Sequence, residues 1–134
     1  MTRLLLLVAI AAGLFGLAAC NRQQPIFEVV NSPLPFEAKQ YPTETIARHI
    51  IVAGAQHNWE IRQIGVGHLK GVLNLRQHVA VVDIFVTADS YSIRYSNESN
   101  LKTGDGTIHK QYNAWVRNLD RDIRTHLRVL ATRI

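Results

Sequence analysis

The chain has 134 residues, 15 Lys and Arg against 10 Asp and Glu, a formal charge of +5 and one cysteine. That length suits one ordinary domain and excludes two. Apolar residues make up 47% and charged residues 19%, which is too apolar for a disordered tail and enough for a globular core. The single Cys excludes an internal disulfide framework and any Cys-cluster zinc site.

Much of the apolar excess lies at the start. After Met-Thr-Arg, the run Leu4 to Leu17 holds nothing more polar than Gly13 and Gly16, and Ala18-Ala19-Cys20 follows. A positive end, an apolar middle and small residues make a signal peptide, and the run is shorter than the ~20 residues of a membrane-spanning helix. Leu17-Ala18-Ala19-Cys20 resembles the lipobox of bacterial lipoproteins, with Leu at −3, small residues at −2 and −1 and Cys at +1. The resemblance implies a diacylglyceryl group on the Cys20 sulfur, cleavage before Cys20 and acylation of the new amino group. One acyl chain holds a protein on a membrane only marginally, whereas several make attachment stable.

The expected division is residues 1–19 as signal peptide, 20–25 as lipidated cysteine and tether, and 26–134 as a single domain. Asn21 rather than Asp after the cysteine implies, by enteric-type sorting, the outer membrane. Loss of residues 1–19 removes Arg3 alone among charged groups, so the remainder stays basic. The polar tether Asn21 to Pro25 reaches about 17 Å at most, which keeps the domain close to the bilayer.

Ile26 to Val30 is apolar and β-branched, which predicts a first strand, and Asn31-Ser32-Pro33-Leu34-Pro35 predicts the loop that ends it. From Thr43, a candidate N-cap, the residues Ile46, Ile50, Ala53 and His57 recur at helical spacing, with Asn58 as a stop. Trp59 to Ile64 alternates, Gly65-Val66-Gly67 makes a turn, and Leu69, Gly71, Leu73 and Leu75 share one side of the next run. Arg76-Gln77 joins it to Val79–Val86, and Tyr91, Ile93 and Tyr95 lie opposite Ser92, Arg94 and Ser96 in the run after that. A polar loop, Asn97 to Gly106, precedes the strongest helical pattern, Tyr112, Val116, Leu119, Ile123, Leu127 and Leu130. The order β-α-β-β-β-α implies an α+β two-layer sandwich, an antiparallel sheet of about four strands with two helices on one face.

Among motifs that carry chemistry, the six histidines His49, His57, His68, His78, His109 and His126 show no metal-ligand spacing. His109, one helical turn from Tyr112 and Asn113, is a helix-start residue expected to bond a loop carbonyl. No nucleophile motif is present, Gly65-Val66-Gly67 lacks the third glycine of a phosphate loop, and Asp120 and Asp122 fall on different sides of their helix. These patterns predict no catalytic residue, no cofactor and no metal.

Arg117, Arg121, Arg124 and Arg128 form a basic stripe on the last helix, either a solvated face or a contact for anionic lipid, lipopolysaccharide phosphates or an acidic partner. The stripe lacks the interleaved aromatics of a nucleic-acid surface. In Val79–Val86, Ala80, Val82, Ile84 and Val86 pack under the helices and leave Val79, Val81 and Phe85 beside Asp83 on the other face. That second face is either a partner surface or is covered by the N-terminal strand or by the loop through Leu34, Pro35 and Phe36.

The stretches Tyr91-Ser92-Ile93-Arg94-Tyr95-Ser96 and Ile108-His109-Lys110-Gln111-Tyr112-Asn113-Ala114-Trp115 resemble those of a group of small, uncharacterised proteobacterial lipoproteins, which brings no activity with it. The layout is also similar in outline to small envelope-assembly lipoproteins, an analogy of architecture alone. The expectation is a lipid-anchored periplasmic protein of the outer membrane that works through non-covalent contacts with an envelope partner. The alternatives are a module binding anionic lipid or lipopolysaccharide through the arginine stripe, and a hydrolase whose site the sequence does not reveal.

Overall fold

The six apolar positions that predict the last helix, Tyr112 through Leu130, are all buried in the computed structural model, which describes residues 23–101 and 108–132. In chain order the elements are β1 (Gln23–Gln24), β2 (Val29–Pro33), a 3₁₀ turn (Phe36–Ala38) and α1 (Thr43–Ala55). Then come β3 (Glu60–Gly65), β4 (His68–Leu75), β5 (His78–Val86), β6 (Ser90–Tyr95), β7 (Ile108–His109), α2 (Lys110–Arg128) and a closing 3₁₀ turn (Leu130–Thr132).

Strands β2 to β6 make one antiparallel sheet in the order β2-β6-β5-β4-β3, and β1 and β7 pair in a separate two-stranded ribbon. The α+β sandwich is as the sequence implies, with five strands in the main sheet. The extra strand comes from Glu60–Gly65 and His68–Leu75, which pair as a hairpin across the Val66-Gly67 turn. Gly67 takes φ +63 there, and a Cβ on it would stand 2.6 Å from the Val86 carbonyl oxygen, so the turn requires glycine.

The first strand lies three residues beyond its expected place. Asn31 adopts φ 49, a bulge interrupts the β2–β6 register between Val29 and Ser32, and pairing resumes through Pro33. Asn31 donates its backbone N–H to Ser92 Oγ at 2.9 Å, which stabilises the bulge, and an edge strand tolerates the proline. Ile26 and Phe27 lie outside the sheet and pack against the core from its side.

In α1, Pro42 rather than Thr43 holds the N-cap position, and its carbonyl accepts from the backbone N–H of Thr45 and Ile46. Proline suits that position because its fixed φ is compatible with the cap conformation. Asn58 stops the helix in the left-handed region at φ 64, and the Trp59 N–H returns to the Gly54 carbonyl. Ile46, Ile50 and Ala53 are buried, whereas His57, the last of the expected apolar face, is exposed.

The core is one cluster. Ile61, Leu69, Leu73, Ala80, Val82, Ile84, Tyr91 and Ile93 of the sheet meet Ile46, Ile50, Val116, Leu119, Ile123 and Leu127 of the helices. Burying each such side chain stabilises the fold by roughly 1.5–3 kcal/mol.

Candidate functional site

A cavity of about 750 Å³ opens between the β4–β5 hairpin and one flank of α2. Leu75, Arg76, Gln77 and His78 form one wall; Gln111, Ala114, Trp115 and Asn118, spaced along one helix face, form the other. A smaller cavity of about 210 Å³ adjoins it across Leu75, Trp115 and Asn118 and continues over Leu73 and Trp59 to Gln56, His57 and Asn58. The combined groove lies within the size range of small-molecule sites. Trp115 is half-buried at the junction, and Trp59 is buried beneath the smaller part.

The groove has a one-sided electrostatic character. Among the described residues no carboxylate lines either cavity, while Arg76, His78 and His57 do. Arg76 sits in the turn at φ 56, and among the described residues no carboxylate pairs with it. Carboxamides from Gln77, Gln111 and Asn118 supply further donors. His57 is paired with Asp122 of α2.

At one end the groove meets the β1–β7 ribbon. The His78 and His109 rings lie 5.3 Å apart, and His109 pairs with Gln23 in the ribbon. His109 Nδ1 accepts the Gln111 backbone N–H at 3.3 Å and so caps α2. This differs from the expected bond to a loop carbonyl, because the first turn of a helix leaves N–H groups in need of an acceptor. Sequence reasoning passed over the groove; the signal was Trp115, a large aromatic just off the apolar stripe of α2.

The arginine stripe is exposed as expected, and Arg117, Arg121 and Arg124 have partners among the described residues. The Arg117 guanidinium lies 4.6 Å over the Phe27 ring, Arg124 pairs with Asp120, and Arg121 reaches Asp122 at 3.9 Å. Arg128 is exposed at the end of the helix. Asp120 and Asp122 do diverge, to Arg124 and Tyr91 in one case and to His57 and Arg121 in the other.

Asp120 is buried and accepts the hydroxyl of fully buried Tyr91. Burial, reinforced by the Asp120 carboxylate, pushes the Tyr91 phenol well above the usual tyrosine range. Burial does the same to Tyr112, with Glu28 adding to it. The Tyr112 hydroxyl has no hydrogen-bond partner among the described residues.

On the other face of the sheet, Val79 and Phe85 are half-buried to exposed, but Val81 is only 4% exposed. This corrects the reading of Val81 as part of an apolar contact face. Neither of the expected covers closes it: β2 pairs edge-on with β6, Leu34 is buried, and Phe36 is 87% exposed on a turn that packs toward α2. The segment after β6 does so instead. Ser99 Oγ bonds both backbone groups of Val81, and Glu98 reaches across β5 to Lys70 of β4 at 2.7 Å. Phe85 stacks on His68 at 4.5 Å, and His68 Nε2 lies 2.8 Å from Asp83 Oδ1.

His49 Nδ1 and His126 Nε2 are 3.1 Å apart and join α1 to α2. No group of three or more potential metal ligands occurs among the described residues. Within the same residues no helix is long and apolar enough to cross a membrane. Cys20 and the expected signal peptide, residues 1–19, lie outside the described residues. No protein-family model matches the chain, and neither a curated protein nor a solved structure matches it.

Proposed function

We propose that this chain is a lipid-anchored protein of the bacterial cell envelope, held through Cys20 at the periplasmic side of the outer membrane and acting by non-covalent contact. The observation that carries the reading is Leu17-Ala18-Ala19-Cys20 directly behind its apolar run. It is supported by the short distance to the fold: Gln23, paired with His109, follows Cys20 by three residues, which reach about 10 Å at most. A domain so placed works at the membrane surface.

Contact rather than catalysis is favoured by the groove, whose larger cavity is lined, among the described residues, by an arginine, a histidine, carboxamides and a tryptophan rather than by a hydroxyl, thiol or carboxylate. The test is incorporation of labelled fatty acid in cells that express the full chain. The wild-type chain should incorporate label and shorten by the signal peptide, and Cys20→Ser should do neither. Label in the Cys20→Ser chain overturns the anchor.

A further inference from the structure

We propose that the groove between the β4–β5 hairpin and α2 seats the phosphate head group of an anionic lipid in the membrane that carries the anchor. The proposal deepens the anchored reading and rests on it for the source of the ligand. Position is the first argument. His78 closes the groove against His109, and His109 is the ribbon partner of Gln23. Three residues of chain span about 10 Å at most, comparable to the thickness of a head-group layer, so acylation at Cys20 would hold the mouth of the groove near the level of lipid phosphates.

Chemistry is the second. A phosphate needs cationic and N–H donors with no competing carboxylate. Arg76 offers a guanidinium free of carboxylate partners among the described residues, His78 a ring, and Gln77, Gln111 and Asn118 their amides. Trp115 has the form that membrane interfaces favour, an apolar ring with a polar N–H. Leu75 and Trp115, half-buried where the smaller cavity joins, offer apolar surface to the glycerol and upper acyl carbons.

The arginine stripe is the weaker candidate for the same chemistry. Arg124 and Arg121 face their own aspartates, and Arg117 covers Phe27. A lipid phosphate would compete there with groups already in place, whereas at Arg76 no carboxylate among the described residues competes.

The experiment uses the full chain, expressed with its leader and reconstituted into phosphatidylcholine vesicles with and without phosphatidylglycerol. The chain has two tryptophans, so Trp59→Phe leaves Trp115 as the reporter. If that variant fails to fold, the difference between wild type and Trp115→Phe gives the same signal. Quenching of Trp115 by brominated phosphatidylglycerol should exceed quenching by brominated phosphatidylcholine roughly fivefold, the ratio that about 1 kcal/mol per cation near the surface produces. Arg76→Gln with His78→Gln should abolish that preference, and Arg121→Gln with Arg128→Gln should leave it. Equal quenching by the two lipids, or a preference that follows the stripe variant, overturns the proposal. Mass spectrometry of the same preparation separates the two readings: acylated Cys20 without lipid preference removes the groove alone. Preference by a wild-type chain whose Cys20 carries no acyl group keeps the groove and removes the anchor.

Discussion

Asn113 holds Pro25 and Phe27 by the two ends of one carboxamide: Oδ1 accepts the Phe27 N–H and Nδ2 donates to the Pro25 carbonyl, each at 2.9 Å. The clasp fastens the segment between β1 and β2 to the first turns of α2, and Arg117 closes over the Phe27 ring one helical turn further on. The start of the fold is thereby attached to the helix that borders the groove.

Asn113 is buried, so Asn113→Ala leaves two backbone groups short of partners. It should lower stability by about 1–3 kcal/mol, read by urea unfolding. Limited proteolysis should show faster cleavage near residues 25–28 than in wild type. A variant as stable and as resistant as wild type would show that the clasp has no energetic role.

Tyr91 and Tyr112 predict base-induced unfolding. Both phenols are raised in the fold, so above about pH 10, the ordinary tyrosine value, the unfolded chain gives up protons that the folded chain keeps. The unfolded state then binds fewer protons, and stability falls as pH rises, by up to about 1.4 kcal/mol per pH unit for each tyrosine. Their contribution is fully present below pH 10. Urea midpoints measured between pH 8 and pH 11 should decline, and Tyr91→Phe or Tyr112→Phe should flatten the decline.

The two phenols differ at neutral pH. Tyr91→Phe deprives buried Asp120 of a donor and should cost about 1–3 kcal/mol. Tyr112→Phe removes a buried hydroxyl without a partner among the described residues, and should be neutral or stabilising. Thermal melts of the two variants at pH 7 check the order; the reverse order would contradict the hydrogen-bond assignment.

Leu119→Ala or Ile123→Ala should destabilise by about 2–5 kcal/mol, because both side chains are fully buried and leave cavities. Arg128→Gln, exposed, should change stability within about 0.5 kcal/mol. Arg124→Gln removes a partner of buried Asp120 and should cost more, about 1 kcal/mol. Equal urea midpoints for the two arginine variants would return Arg124 to a solvated face.

Helical and strand periods are local properties, and the sequence by itself determined what depends on them. The apolar steps from Tyr112 to Leu130 told which face of α2 is buried, since side chains repeat every 3.6 residues whatever they pack against. The turns at Val66-Gly67 and Arg76-Gln77 and the inward set Ala80, Val82, Ile84 and Val86 were legible for the same reason. What the buried and exposed faces meet was decided by tertiary structure. The Asn31–Ser92 bond and the bulge shift the register of β2, and the segment with Ser99 on Val81 and Glu98 on Lys70 lies against Val81. Asp120 and Asp122 meet arginines of their own helix by local spacing, but only packing brings Tyr91 of the sheet to Asp120 and His57, just past α1, to Asp122. The groove joins Leu75–His78 to Gln111–Asn118, segments more than thirty residues apart, and no period in a chain records which distant faces packing will bring together.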